Sequence, residues 1–191
     1  SGKAYIFDVT TGSLLHTLHN PNAYGTSAND NFGSSVAISG NRVVVGAPYE
    51  GDAGGTYSGK VYIFDVNTGG LLTTLSNPNA YGTSTSDIFG ISVAISGNRV
   101  VVGTTRTMAA YAPTSGKAYI FDATTGSLLH TLHNPNAYGT SDTDNFGISV
   151  AISGNLAVVG AWQEDDAGGD SYSGKAYIFD TTTGSLLHIL N

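Results

Sequence analysis

The sequence predicts an all-β chain, a β-propeller-type array of four-stranded antiparallel blades, and three observations predict it. The segments SGKAYIFD at 1, SGKVYIFD at 58, SGKAYIFD at 115 and SGKAYIFD at 173 set repeat periods of 57, 57 and 58 residues. A fixed period of this size marks a tandem array of one supersecondary unit. Every copy is cut by Gly, Asn, Asp and Thr into short apolar runs, and helical spacing of apolar residues appears in none of them. The runs Val43, Val44, Val45 and Tyr62, Ile63, Phe64 are apolar on both faces, as strands covered from both sides are.

Each repeat supplies four strands in order. The first follows a Phe-Gly pair: FGSSVAIS at 32 to 39, FGISVAIS at 89 to 96 and FGISVAIS at 146 to 153. The second is RVVVGAP at 42 to 48, RVVVGTT at 99 to 105 and LAVVGAW at 156 to 162. Only Gly-Asn separates the two, a two-residue hairpin turn that uses the positive φ these residues tolerate. The third strand is KVYIFD at 60 to 65 and its equivalents, and the fourth is LLTTL at 71 to 75, or LLHTL in other copies. DVTTG, DVNTG, DATTG and DTTTG join them, Asp opening the turn and Gly closing it. Strand four mixes His and Thr into its leucines and reads as the outer, more polar strand of a blade. A single blade cannot bury both of its faces, so neighbours must stack on it.

Strands three and four occur four times, strands one and two three times. The expected organisation is a half blade at 1–20 and blades at 32–77, 89–134 and 146–191, in one continuous repeat domain of about three and a half blades. These two ends cannot complete each other's blade. The array is therefore expected to be a segment of a larger propeller or a subunit that assembles end to end.

Composition narrows the function. Lys plus Arg is 7 against 14 Asp plus Glu, a net charge of -7 that repels phosphate backbones and anionic lipid surfaces. Nucleic acid is not expected as a partner. Without Cys there is no disulfide, thiolate zinc site or thiol nucleophile. Apolar runs stop far short of the roughly 20 residues that span a bilayer, so membrane insertion is not expected. The opening SGKAY lacks the charged and apolar regions of a secretory leader. The N-x-S/T triplet of N-glycosylation is absent, while Ser- and Thr-rich loops such as NPNAYGTSTSD leave O-linked sugar open.

FGSSVAISGNRVVVGAP followed by SGKVYIFD resembles the FG-GAP repeat family, the blades of integrin alpha-subunit propellers and of many bacterial extracellular proteins. The resemblance covers essentially the whole chain. Phe32-Gly33 with Gly46-Ala47-Pro48 matches both elements; the later copies keep Phe89-Gly90 and Phe146-Gly147 but read Gly103-Thr104-Thr105 and Gly160-Ala161-Trp162. The acidic loops EGDAGGTYSG and EDDAGGDSYSG look like the bacterial branch. The resemblance implies a propeller of about six to eight blades when complete, an extracellular or cell-surface location, and no catalysis. Calcium-binding members carry a D-x-D-x-D-G loop between strands one and two. Here that place holds Ser39-Gly40-Asn41, Ser96-Gly97-Asn98 and Ser153-Gly154-Asn155, so calcium is not carried over, and no metal or cofactor is expected.

Candidate residues fall into three groups. Asp8, Asp65, Asp122 and Asp180 open T-G turns in every copy and read as structural Asx-turn residues. His16 with His19, and His130 with His133, share an HxxH spacing that a strand points to opposite faces; they read as a solvated outer strand, as does His188. The loop between strands two and three varies most, and it holds the binding candidates Arg106, Met108, Tyr111, Trp162, Glu164, Asp165, Asp166 and Asp170. Aromatic and Arg side chains are the usual anchors of binding patches, and loops on a rigid scaffold are where binding resides. The same loops read equally as solvated, drifting connections. Asp142 and Asp144, before Phe146-Gly147, read as turn chemistry.

No nucleophile elbow, P-loop, zinc-protease or dinucleotide motif is present, and one Trp cannot supply the docking pattern of quinoprotein blades, so no enzymatic activity is expected. Two functional expectations remain. One is an adhesion or protein-interaction scaffold with a protein or glycan ligand; the other is a structural subunit that self-associates into an extracellular fibre by inter-chain completion of blades.

Overall fold

The computed structural model describes residues 2–21, 29–51, 57–78, 87–105, 116–135, 144–165 and 173–191. All regular structure in them is β-strand. Strands β1 (Lys3–Phe7) and β2 (Leu14–His19) form a two-stranded sheet. Three four-stranded sheets follow: β3 (Ser35–Ser39), β4 (Arg42–Ala47), β5 (Lys60–Asp65) and β6 (Leu71–Ser76); β7 (Ser92–Ser96), β8 (Arg99–Thr104), β9 (Lys117–Asp122) and β10 (Leu128–His133); β11 (Ser149–Ser153), β12 (Leu156–Ala161), β13 (Lys175–Asp180) and β14 (Leu186–Leu190). Each is an antiparallel meander in chain order, and no sheet closes on itself. Below they are blades one, two and three, and β1–β2 is the half blade.

Register repeats from blade to blade. Val45 pairs Tyr62 and Val43 pairs Phe64 in blade one, as Val102 pairs Tyr119 and Val100 pairs Phe121 in blade two. The Asp turns are built as Asx turns: Asp8 Oδ1 accepts the N–H groups of Thr10 and Thr11, both at 2.8 Å, and Asp65, Asp122 and Asp180 do the same for their own turns. Asn41 Nδ2 donates to Asp65 Oδ2 at 2.5 Å and Asn98 Nδ2 to Asp122 Oδ2 at 2.6 Å, tying the hairpin of strands one and two to the turn of strands three and four.

The Phe-Gly pairs precede strand one, where the sequence reading puts them. They form turns ahead of the strands, and Gly33, Gly90 and Gly147 have φ of 92°, 90° and 93°. A Cβ on Gly33 would stand 2.5 Å from the carbonyl oxygen of Lys3, and one on Gly147 would stand 2.3 Å from that of Lys117. Positive φ and backbone crowding together demand glycine. The phenylalanines turn inward instead: Phe32 packs against Tyr62 and Phe64 with ring centroids 5.9 and 6.0 Å apart, Phe89 does so on Tyr119 and Phe121, and Phe146 on Tyr177 and Phe179.

The core lies between blades, in three clusters. One joins Ala4, Ile6 and Leu18 of the half blade to Val43, Val45, Tyr62 and Phe64. The next joins Val44, Val61, Ile63 and Leu75 of blade one to Val100, Val102, Tyr119 and Phe121 of blade two. The last joins Val101, Ile120 and Leu132 to Ala157, Val159, Tyr177 and Phe179. Alternate residues of one strand thus serve opposite neighbours, which explains runs with no polar interruption.

Candidate binding site at the loops between strands two and three

A conserved construction at the base of the loop appears in blades one and three. After β4 the chain turns on Ala47–Glu50, the Glu50 N–H donating to the Ala47 carbonyl at 3.1 Å; after β12 the Glu164 N–H donates to Ala161 at 3.2 Å. The glutamate carbonyls then accept the N–H groups of Gly59 and Gly174, both at 2.9 Å, where each loop returns. One residue therefore pins both ends of the loop.

The side chains of these glutamates are fully buried. Glu50 accepts a hydrogen bond from the Tyr62 hydroxyl at 2.6 Å, and Glu164 accepts one from Tyr177. Lys175 Nζ pairs with Glu164 Oε1 at 3.2 Å and donates to the Asp165 carbonyl at 2.7 Å. Among the described residues, the second carboxylate oxygens, Oε2 of Glu50 and of Glu164, meet no hydrogen-bond donor. Burial pushes the Glu50 carboxyl above its usual range, the Tyr62 hydrogen bond working against it. Burial and then the glutamate acceptor push the Tyr62 and Tyr177 phenols up beyond any physiological titration, so both stay protonated donors. Tyr119 is pushed up to about 12 by burial and by the nearby Asp87 carboxylate.

Beneath the loop an Asn-Asp bridge links successive blades. Asn20 Nδ2 donates to Asp30 Oδ2 at 2.9 Å, Asn77 to Asp87 at 3.1 Å and Asn134 to Asp144 at 2.7 Å, and all three aspartates are buried. Asp144 is thus an inter-blade strut.

The binding candidates sort as follows. Trp162 is 56% exposed beside the buried Glu164, and Asp165 is exposed next to it. Glu164 departs from the expectation of a carboxylate displayed on an acidic loop: Tyr177 and Lys175 hold it inside the blade. Arg106, Met108, Tyr111, Asp166 and Asp170, like Asp142, lie outside the described residues. Among the described residues no group of three or more His, Asp or Glu is placed to hold a metal ion.

The histidines hold a contact that spacing did not predict. His16 Nε2 donates to the Asn67 carbonyl at 2.9 Å, and His130 Nε2 to that of Thr182 at 3.0 Å, each reaching from strand four to the Asp turn of the following blade. The signal available was recurrence in the same strand place; what obscured it is that its partner is a backbone atom about 50 residues away.

Blades that pack face to face through alternating residues, with Gly backbones in contact and no closed sheet, define a repeat protein of β-propeller type. A family model described as FG-GAP repeat matches residues 22–64, 79–121 and 136–179, and the chain belongs to the FG-GAP repeat family. None of the curated proteins compared with it matches. No helix among the described residues is long and apolar enough to cross a membrane.

Proposed function

We propose that the chain is a non-catalytic scaffold of an extracellular or cell-surface protein, and that it presents the loops between strands two and three to a protein or glycan partner. The carrying observation is the anchored loop base, in which a buried glutamate fixes both ends of a loop while Trp162 stands exposed beside it. Anchoring keeps a variable loop in place without dictating its tip, which is the division a display scaffold needs. FG-GAP repeats are generally non-catalytic and occur typically in extracellular or surface proteins, which supports the same reading.

The test is adhesion of the chain to immobilised matrix proteins and a glycan panel, with Trp162→Ala and a chain whose 162–172 loop is replaced by Gly and Ser. Binding to at least one surface, reduced tenfold or more in both variants, is expected. Binding to none, or binding indifferent to both changes, overturns the proposal.

A further inference from the structure

We propose that the outer strands carry a docking surface for a second copy of this chain: a ladder of leucine pairs at the blade end opposite the loops between strands two and three. Strand four of every repeat opens on two leucines. Leu71 and Leu72 of blade one are 46% and 50% exposed, and Leu128 and Leu129 of blade two 42% and 41%. Both of these blades pack against a neighbour on each side. Leu186 and Leu187 of blade three, with no blade after them here, are no barer, at 38% and 44%. Stacking another blade therefore does not cover the pairs. Leu75 and Leu132 of the same strands do respond to a neighbour, each being 1% exposed beneath the following blade.

Each pair sits on a β-bulge. Leu71 pairs Phe64 and Thr73 pairs Ile63, which leaves Leu72 as the extra residue, and Leu15, Leu129 and Leu187 hold the same place in their strands. A bulge takes side chains out of the alternation that sends Leu75 inward, and it interrupts the main-chain ladder, so a joint here is made by side chains. No Lys, Arg, Asp, Glu or Pro occurs in the four outer strands, although charge and proline are the usual guards of an exposed apolar edge. The pairs also run on from blade to blade. Gly69 and Gly126, each two residues ahead of a pair, pack on His16 and Thr73, the residues that follow the pair of the blade before; a Cβ on them would stand 3.0 Å from His16 Nδ1 and 3.1 Å from Thr73 Cγ2.

Four half-exposed pairs present on the order of 600 Å² of apolar surface, close to what one side of a small specific interface buries. One pair alone is too small to hold a partner. A partner that covers several must present apolar groups at the spacing of the blades, and the ladder itself has that spacing. Two copies related by a two-fold axis between the second and third pairs set Leu72 opposite the partner's Leu129 and Leu15 opposite the partner's Leu187, a closed, self-complementary contact. Asn41 ties the hairpin of strands one and two to the Asp65 turn at this end of the blade. The loops between strands two and three leave from the other end, and a dimer keeps both sets of them free.

The experiment is sedimentation of the 191-residue chain across a concentration series. A reversible dimer is expected, and changing Leu72→Lys together with Leu129→Lys should raise its dissociation constant at least tenfold while the unfolding midpoint stays in place, because both positions are exposed. Ile38→Asp, an exposed residue of the blade face outside the ladder, should leave the dimer intact. The chain has no Cys, so chains carrying Leu72→Cys and Leu129→Cys can be mixed and oxidised, and the two should cross-link to each other in preference to like with like. A monomer at every concentration overturns the proposal. So does association that Ile38→Asp abolishes and the two lysines leave unchanged, which would place the contact at the blade face. Preferential like-with-like cross-linking overturns it too, as does a monomer that binds phosphatidylcholine vesicles through these leucines, which would make a neutral lipid surface the occupant.

Discussion

Ser35 Oγ donates to the carbonyl oxygen of Gly90 at 2.7 Å, across 55 residues of sequence and one blade boundary. Ser92 repeats the bond on Gly147 at 2.7 Å. The glycine of the Phe-Gly turn therefore does three things at one point: it takes a positive φ, lets two backbones touch, and offers its carbonyl to the blade before it.

Gly90→Ala should be among the most damaging single changes. Its Cβ would lie 2.7 Å from Val61 Cγ2 and 2.9 Å from the Lys60 carbonyl oxygen, at a φ of +90°. A loss of about 3 kcal/mol or more is expected in urea unfolding. Gly97→Ala meets nothing within 4 Å and pays only for its φ of +55°, about 1 kcal/mol. Equal losses in the two variants would mean that conformation alone, and not the approach of blades, makes the glycine necessary.

Histidines of one spacing should separate by role. His16→Ala and His130→Ala each remove an inter-blade hydrogen bond and should cost about 1 kcal/mol. His19→Ala and His133→Ala change exposed side chains and should stay within about 0.5 kcal/mol of the parent. Thermal unfolding of the four single variants measures both classes.

Thr181 is fully buried and its Oγ1 has no hydrogen-bond partner among the described residues, while Val66 and Ala123 stand at the same place in the other full blades. Thr181→Val keeps the shape and removes the desolvated hydroxyl, so a gain of about 1 kcal/mol is expected. A denaturant midpoint that stays put or falls would show that the hydroxyl is satisfied in solution.

Two sets of carboxylates should oppose each other in a pH titration. The turn N–H groups, Thr11 foremost at Asp8, Thr68 at Asp65, Thr125 at Asp122 and Thr183 at Asp180, hold these carboxyls below their ordinary range. Their contribution is complete above the ordinary aspartate pKa of about 4 and is lost as pH falls through the lowered values. Changing all four to Asn should flatten the acid limb of the stability curve. Glu50 runs the other way, because burial raises its pKa: its contribution is present below the ordinary glutamate range and lost as pH rises through the raised value. Glu50→Gln should therefore raise the unfolding midpoint more at about pH 8 than at about pH 4. A shift of the same size at both values would place the effect in packing, not in charge.

Strand order, the Asp turns and the stacking of blades were legible because they rest on local rules repeated three or four times. DVNTG at 65–69 could be read as an Asx turn from its own five residues, and it forms one. Glu164 was not legible in that way. It stands beside Asp165 and Asp166 in a Gly-rich stretch, where acidic residues ordinarily meet water, and the partners that bury it, Lys175 and Tyr177, belong to the strand after the loop. A signal was present in the fixed offset of Glu50 and Glu164, each three residues after the alanine that ends strand two. Nothing in the loop's composition marked that offset as structural. Likewise the sequence did not show why position 33 must be glycine, because only the neighbouring blade's backbone, at Lys3, reveals the crowding.

The touching glycine backbones at two blade boundaries fix the spacing of the joint in main chain, and alternating core side chains fill the rest of it. Gly46 faces Gly90, and Gly103 faces Gly147, with no room between them for a Cβ. A repeat that keeps these glycines, the serines that bond to them and the alternating core residues presents the same joint as its neighbours, so whole units of about 57 residues can be gained or lost without a new one. The number of blades is thereby free to change by recombination between near-identical copies, while the loops at the rim diverge independently of it.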